Sequence, residues 1–238
     1  MKGKLVAAGL IARMRKISGF IKKRADKSLL NEMLRKFLHI ICTLFLLVLV
    51  NAFNEWYDAV IAMLVFVSVL YPVLTLTEHF PQYGKFFYER RKGEVKKSVL
   101  ILTVMVIVLV VVFWGLLGVD RKYIIIAAIM AWGFGDAAAA LIGKAFGRHF
   151  IEHRHIEGKK TVEGTLAMYM ASSLAIFATM MLQGAGPWYL CLAVALMAAL
   201  VCAVVELFSL RGSDTITVPL SAAISMFILV SFFSQLGV

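Results

Sequence analysis

Ionisable side chains interrupt the long apolar runs of this sequence at three places. In the first, Arg35, Lys36 and His39 lead into an apolar run. Arg35 and His39 are four residues apart, so they share one face of a helix. Two cations and an imidazole suit an anionic or hydroxyl-bearing head group. The alternative is that they are ordinary flanking residues whose long side chains reach toward the lipid head groups.

The second place is Asp136, which stands among glycines and alanines in the apolar run 123–143. A charged side chain at the middle of a membrane helix costs about 2.5–3.5 kcal/mol on insertion scales, so its presence indicates a function. Its small neighbours Gly133 and Gly135 allow other helices to approach closely. Asp136 could bind Mg²⁺, accept a proton, or form a purely structural ion pair with a basic residue of another helix.

A pattern that suits phosphate opens the next apolar run, with the residues Lys159, Lys160, Thr161 and Glu163. The first turn of a helix carries partial positive charge and exposed amides, so lysines and a hydroxyl there predict phosphate contacts. Glu163 could complete a metal site or cap the helix. The segment is not a P-loop, because that pattern requires glycine and Ser/Thr where His153 and Lys160 stand.

The third place is the short polar segment 206–214, which joins the last two apolar runs and contains Glu206, Arg211 and Asp214. Together with the earlier residues it offers three carboxylates and three cations that could hold a magnesium-bound polyphosphate: Asp136, Glu206 and Asp214 with Lys159, Lys160 and Arg211. The alternative is a capped helical hairpin in which Arg211 pairs with Asp214.

Transmembrane helices are the elements that must position these residues. The chain has 238 residues, of which 61% are hydrophobic and 16% charged, and its mean hydropathy is +0.87. This composition excludes a water-soluble globule, a disordered chain and a fibrous repeat. Crossing about 30 Å of hydrocarbon takes about 20 apolar residues. Seven runs predict an all-α integral membrane protein with seven spans, at roughly 37–53, 57–77, 98–118, 123–143, 162–182, 187–209 and 215–236.

Basic residues are distributed unevenly over the loops of this topology. One side holds 23 of the 25 lysines and arginines, whereas the other side holds only Arg121 and Lys122. The positive-inside rule therefore places the N-terminus in the cytoplasm and the C-terminus outside. The three polar clusters then lie at the cytoplasmic ends of the helices.

Residues 1–34 form a separate basic segment ahead of the membrane domain 35–238. Its apolar residues fall on one helical stripe with basic residues around the remainder, which predicts an amphipathic helix held at the cytoplasmic surface by anionic lipids. The alternative is a solvated tail. Such a basic block would suggest nucleic acid in a soluble protein, but beside a membrane we expect no nucleic-acid partner.

Taken together, the polar clusters resemble those of the dolichol kinase, phytol kinase and CTP-dependent diacylglycerol kinase family. Four pieces carry the resemblance, in the family's order: Arg35-Lys36-x-x-His39, Gly135-Asp136 with Gly143 and Gly147, Lys160-Thr161-x-Glu163-Gly164, and Glu206 with Arg211-Gly212-x-Asp214 and Thr217-Val218-Pro219. The last motif of the family often reads Gly-x-Asp-Asn, whereas Thr215 follows Asp214 here. A more distant similarity to phosphatidate cytidylyltransferase rests on the acidic span and the Lys-Thr-x-Glu-Gly segment.

The resemblance implies an Mg²⁺-dependent enzyme that transfers the γ-phosphate of CTP to the hydroxyl of a polyprenol, phytol or diacylglycerol. In that interpretation Asp136, Glu206 and Asp214 bind the metal ion, and one of them takes the hydroxyl proton. Phosphate contacts come from Lys36, Lys159, Lys160, Thr161, Glu163 and Arg211. Arg35, His39, Asp136 and Glu206 act in catalysis.

Two other functions stay open at this point. A cytidylyltransferase would use the same nucleotide and release pyrophosphate while forming a CDP-lipid. An anion transporter would distribute polar residues along a path through the bilayer, whereas here they crowd toward one side. The sequence leaves the identity of the lipid, the preference for CTP over ATP and the oligomeric state open.

Overall fold

The computed structural model describes residues 29–79, 93–152, 156, 160–210 and 212–235. Within these residues the chain forms seven long helices and no strand: α1 Leu29–Ala52, α2 Trp56–Thr77, α3 Glu94–Leu116, α4 Lys122–Phe146, α5 Val162–Leu182, α6 Trp188–Phe208 and α7 Asp214–Gln235. Each helix is long and apolar enough to cross a membrane. The predicted all-α class with seven membrane-spanning helices is confirmed.

Helix boundaries depart from the predicted spans mainly at α1, whose described part extends back to Leu29, well before the predicted start at residue 37. The apolar run marks only the part of a helix that hydrocarbon can surround. Here the helix continues beyond that run, because Glu32, Arg35 and Lys36 find charged partners on neighbouring helices. The predicted amphipathic helix falls on residues 1–28, which lie outside the described part of the chain.

Helix α4 is the central element of the bundle. It packs against α3, α5, α6 and α7, and thirteen of its residues are buried. Ser172 of α5 donates a hydrogen bond to the carbonyl of Ala131 at 3.0 Å, which joins the two helices within the hydrophobic core. A charged residue on this helix is therefore surrounded by protein on most sides.

Glycines on α4 allow two neighbouring helices to approach its backbone. A Cβ at Gly133 would lie 2.6 Å from Cγ2 of Thr43 on α1, and a Cβ at Gly135 would lie 2.4 Å from Oγ of Ser172 on α5. Both distances are far below ordinary contact, so any larger side chain would force the helices apart. The small residues around Asp136 therefore set how near α1 and α5 come to it.

The two ends of the bundle differ in composition. At one end, named here the charged end, Lys36 on α1 reaches Asp136 on α4, and Lys160 before α5 reaches Glu206 on α6. Aromatic residues gather at the opposite end, at the starts of α2, α4 and α6 and the end of α3: Trp56, Tyr57, Tyr123, Trp188, Tyr189 and Trp114. Tryptophan and tyrosine are enriched where a protein meets the membrane–water interface.

Candidate active site

Asp136 is one of the buried acidic residues of the charged end, together with Glu32 and Glu206. Only 7% of Asp136 is exposed, and its carboxylate contacts the ammonium group of Lys36, which is 5% exposed. The two residues are 100 positions apart in the sequence, and α1 brings the lysine alongside α4. A carboxylate so far from water needs an opposite charge, because an unpaired buried charge is strongly destabilising. The ion pair therefore holds one acidic and one basic side chain together inside the charged end of the bundle.

His39 lies one helical turn beyond Arg35 and faces the same carboxylate. Its Nε2 atom is 3.8 Å from Oδ2 of Asp136, which is longer than a hydrogen bond. The imidazole packs against the indole of Trp132 in a T-shaped arrangement, with 4.3 Å between the ring centroids. Trp132 is one turn before Asp136 on α4, so both face α1.

Two ring nitrogens at this point have no hydrogen-bond partner among the described residues. They are Nε2 of His39 and Nε1 of Trp132, and both are buried. A buried polar group without a partner costs about 1–3 kcal/mol, and most such groups in proteins are satisfied. Two of them side by side, next to a buried carboxylate, indicate a place for a ligand that carries a hydroxyl or another polar oxygen.

A second group of charges surrounds this pair toward the surface. Arg35 contacts Glu32 one turn earlier on α1, and Nη1 of Arg35 lies 3.9 Å from Oε1 of Glu94 on α3. Lys144, near the end of α4, lies 3.5 Å from the other oxygen of Glu32. These contacts join α1, α3 and α4 next to the buried pair.

Lys160 and Glu206 form a second buried ion pair, between the start of α5 and the end of α6. The lysine contacts the carboxylate and also donates a hydrogen bond to the backbone carbonyl of Glu206 at 3.1 Å. Glu206 is 5% exposed, whereas a quarter of the Lys160 side chain is exposed. This lysine therefore reaches from the surface to an acid that is enclosed by protein.

Asp214, the first residue of α7, is near both ion pairs. It interacts electrostatically with Asp136 and Lys36 and with Lys160 and Glu206. Five helices or their ends (α1, α4, α5, α6 and α7) thus contribute acids and bases to a single region. The sequence-predicted residues that the structure brings together are Lys36, His39, Asp136, Lys160, Glu206 and Asp214, with Arg35 one helical turn before His39.

Thr161 caps α5 and packs against α4. Its hydroxyl accepts a hydrogen bond from the amide of Gly164 at 3.1 Å, and the amide of Val162 donates to the carbonyl of His149 at 3.0 Å. These two amides, which the helix-start interpretation offered to phosphate, are therefore used within the protein. A Cβ at Gly147 would lie 2.6 Å from Cγ2 of Thr161, so the glycine lets α4 and α5 meet closely.

Glu163 is directed away from the other acids and toward the loop before α5. It accepts hydrogen bonds from the backbone amide of His149 at 3.3 Å and lies 2.7 Å from the ring Nδ1 of the same residue. The structure therefore uses Glu163 to hold this loop, and the helix cap is Thr161 instead. Lys159 and Arg211 lie outside the described residues.

Sequence reasoning assigned no role in this site to Trp132, Glu32 or Glu94. Trp132 is four residues before Asp136, and that spacing is the signal that could have placed it on the same helix face. Glu32 stands three residues before Arg35, which likewise predicts a pair on one helix. No local signal points to Glu94, because its partner is on another helix.

The oxygen ligands at the charged end are of the type that Mg²⁺ prefers, since carboxylates are hard donors. Their arrangement, however, does not form a metal site as it stands. Among the described residues, no group of three histidine, cysteine, aspartate or glutamate side chains could hold a metal ion. Asp136 and Glu206 each contact a lysine in the position that a cation would take.

Comparison with known proteins gives one informative similarity. Over 96 residues the chain is 38% identical to a phytol kinase from Synechocystis sp. (strain ATCC 27184 / PCC 6803 / Kazusa). The match covers 40% of this chain and 39% of that protein, so it spans about two fifths of the relative's length. No family model and no solved structure matches the chain.

Proposed function

We propose that this protein is a lipid-alcohol kinase that transfers the γ-phosphate of CTP to the hydroxyl group of a membrane lipid. The observation that carries the proposal is the convergence of buried acids and bases from separate helices at one end of a membrane bundle. The partial similarity to a phytol kinase supports the same class of reaction. The acceptor is proposed to be phytol, a polyprenol or a diacylglycerol, and Mg²⁺ is the proposed cofactor.

The position of the charges suits the two substrates of such a reaction. A lipid alcohol has a long apolar tail and one hydroxyl at the depth of the head groups, whereas a nucleotide arrives from water. A site at the helix ends lets the two meet without moving a polyphosphate into hydrocarbon, where an unpaired charge is costly. Phosphoryl transfer depends mainly on positioning and on neutralising the charge of the phosphates.

His39 and Trp132 are proposed to hold the acceptor hydroxyl. Nε2 of His39 has no hydrogen-bond partner in the described residues and can accept the hydroxyl proton, while the nearby Asp136 carboxylate stabilises the imidazolium that forms. The indole N–H of Trp132 is free to donate to an oxygen of the acceptor. The hydroxyl oxygen then bonds to the γ-phosphorus, the bond from that phosphorus to the β–γ bridging oxygen breaks, and CDP leaves.

Six residues are proposed to neutralise or orient the phosphates: Lys36, Lys159, Lys160, Thr161, Arg35 and Arg211. Lys160 suits this role because its ammonium group lies between a buried acid and the surface. Asp136, Glu206 and Asp214 supply negative charge for a metal ion, which when bound would offset the charge of the transferring phosphate. Glu163 is proposed to act indirectly, by holding the loop that precedes the phosphate-binding lysine.

Seven membrane-spanning helices make this an integral membrane protein, and we propose that its charged end faces the cytoplasm. The support is the excess of lysine and arginine on that side of the topology. Residues 1–34 are proposed to lie on the same surface against anionic lipids. A reporter fused after residue 235 that is active only outside the cell agrees with this orientation, and one active only in the cytoplasm contradicts it.

The direct test is a transfer assay with the purified protein in lipid nanodiscs. CTP, ATP and GTP, each labelled at the γ-phosphate, are incubated with Mg²⁺ and with phytol, a polyprenol or a diacylglycerol. We expect labelled lipid phosphate with CTP and at least one acceptor. Failure of every combination would contradict the proposal, as would flux of an anion across sealed vesicles without nucleotide turnover.

A further inference from the structure

At the charged end, two lysines contact the carboxylates that a metal ion would need as ligands. Lys36 contacts Asp136 and Lys160 contacts Glu206, and both carboxylates are almost fully enclosed by protein. We propose that these lysines are internal counter-ions that exchange partners on binding, so that a divalent cation and a nucleoside triphosphate bind only together. The inference rests on the proposed function, since it takes a nucleotide–metal complex as the ligand.

The exchange keeps every buried charge paired. Before binding, each lysine faces a carboxylate, and the cation faces the phosphates of the nucleotide in solution. After binding, the lysines face phosphate oxygens, while Asp136 and Glu206 face the cation. Each charge has an opposite partner both before and after binding, so neither set of charges is left alone in a region of low dielectric constant.

Binding of one partner alone does not conserve these contacts. A cation that takes Asp136 or Glu206 leaves Lys36 or Lys160 buried beside a second positive charge. Phosphates that take the lysines leave the two carboxylates unpaired, next to Asp214, whose charge already lies within range of both. Removing one member of a buried pair is strongly destabilising. Each ligand therefore raises the affinity for the other, by the same factor in both directions.

The two lysines differ in how they can move. Lys36 is 5% exposed and is held between α1 and α4, whereas a quarter of the Lys160 side chain is exposed. Lys160 can therefore turn from Glu206 toward a phosphate at the surface, with little change in its surroundings. The buried unpartnered nitrogens of His39 and Trp132 lie beside the inner pair, so that pair adjoins the proposed acceptor site.

The experiment measures binding of Mn²⁺, as a spectroscopic probe, to the full chain in nanodiscs of neutral lipid. Electron paramagnetic resonance reports the free ion. We expect the wild-type protein to bind little Mn²⁺ alone and to bind it when a non-hydrolysable CTP analogue is added. Lys36→Met and Lys160→Met each leave a carboxylate without its lysine, and each should bind Mn²⁺ alone about tenfold more tightly than wild type, which corresponds to about 1.4 kcal/mol.

Lys122→Met is the control, because Lys122 lies at the opposite end and contacts the carbonyl of Phe53 and the ring of Trp114 instead of a carboxylate. Its Mn²⁺ affinity should equal that of wild type. If Lys36→Met folds poorly, Lys160→Met still provides the test, and Mn²⁺ should raise the melting temperature of either variant but not that of Lys122→Met. Wild-type protein that binds Mn²⁺ alone as tightly as these variants would overturn the exchange.

The two proposals fail in different ways. An absence of labelled lipid phosphate contradicts the kinase but does not alter the Mn²⁺ measurements, which need no turnover. Phosphate transfer by a wild-type protein that binds Mn²⁺ equally with and without the nucleotide supports the kinase and overturns the exchange.

Discussion

The two ends of the helical bundle use their basic residues differently. At the charged end, Lys36 and Lys160 each contact a carboxylate from another helix, and both acids are buried. At the opposite end, Lys122 lies 4.2 Å from the ring centroid of Trp114 and donates to the carbonyl of Phe53 at 2.9 Å. Arg121 lies 5.7 Å from the ring centroid of Phe227.

Under the proposed function, the charged end carries out the reaction and the opposite end anchors the helices in the membrane. A cation on an aromatic face beside the head groups stabilises the position of a helix in the membrane, and its loss leaves no buried charge behind. A cavity of about 770 Å³ opens at that end as well, but its two basic residues are already directed at rings and a backbone carbonyl. Buried acid–base pairs, in contrast, are costly to maintain, which is why we propose that the reaction takes place at the charged end.

The largest expected effect comes from the buried acid at the charged end. Asp136→Asn keeps the shape of the side chain but removes the charge that faces Lys36 and His39, so we expect phosphate transfer to fall by about 100- to 1,000-fold. The matched control is Asp120→Asn, just before the other end of the same helix, which should stay within about twofold of wild type. The initial rate of phosphate transfer from labelled CTP is measured for both variants. Equal activities of the two variants would contradict the assignment of the reaction to the charged end.

A smaller effect is expected at the buried Trp132, for which the buried Trp114 at the opposite end provides the control. Trp132→Phe removes an indole N–H that has no partner in the described residues, so the fold should lose no hydrogen bond there. If that N–H binds the acceptor, kcat/KM for the lipid falls about tenfold, which corresponds to one hydrogen bond of about 1.4 kcal/mol. Trp114→Phe should leave kcat/KM nearly unchanged. Equal effects of the two variants would remove Trp132 from the proposed site.

Helix packing provides a prediction about stability. Gly133→Ala places a Cβ 2.6 Å from Cγ2 of Thr43, so we expect overpacking to destabilise the protein by about 1–3 kcal/mol. Thr43→Ala removes the clashing atoms and should restore much of the loss. At the opposite end, a Cβ at Gly184 would meet no atom within 4 Å, but the φ of this residue is +63°, which strains any other side chain. Truncating a neighbour cannot relieve the strain that Gly184→Ala introduces. Thermal melting of the single and double variants distinguishes the two causes.

The smallest effect is expected at Lys122. Lys122→Met removes one contact with an aromatic ring and one hydrogen bond, so the melting temperature should fall slightly, by the equivalent of about 0.5–1 kcal/mol. Phosphate transfer should remain within about twofold of wild type. A large loss of activity in this variant would show that the opposite end takes part in the reaction.

The sequence predicts the membrane helices well, because the length of an apolar run is a direct consequence of bilayer thickness. The predicted span 162–182 coincides with α5, and 57–77 differs from α2 by one residue. Charged ends are harder to predict. Helix α1 is already formed at Leu29, ahead of its apolar run, because its acidic and basic residues find partners on α3 and α4, and no local pattern contains that information.

The members of the site could be predicted singly, but their pairing could not. A lone aspartate in an apolar run is visible in the sequence, whereas its contact with Lys36 depends on α1 packing against α4 across 100 residues. The direction of Glu163 toward His149 likewise depends on how the loop before α5 folds back. Pairing between distant helices is a property of packing, which a single sequence expresses only through small residues such as Gly133.

The most direct test of phosphoryl transfer at the charged end uses CTP that carries ³²P at the γ-phosphate and ¹⁴C in the cytosine. The purified protein is incubated with this nucleotide, Mg²⁺ and phytol, and the lipid and aqueous products are counted separately. We expect ³²P in the lipid and ¹⁴C only in the aqueous nucleotides. With phosphatidate as the acceptor in place of phytol, recovery of ¹⁴C in the lipid with release of pyrophosphate, and no ³²P in the lipid with phytol, would contradict this account and identify a cytidylyltransferase.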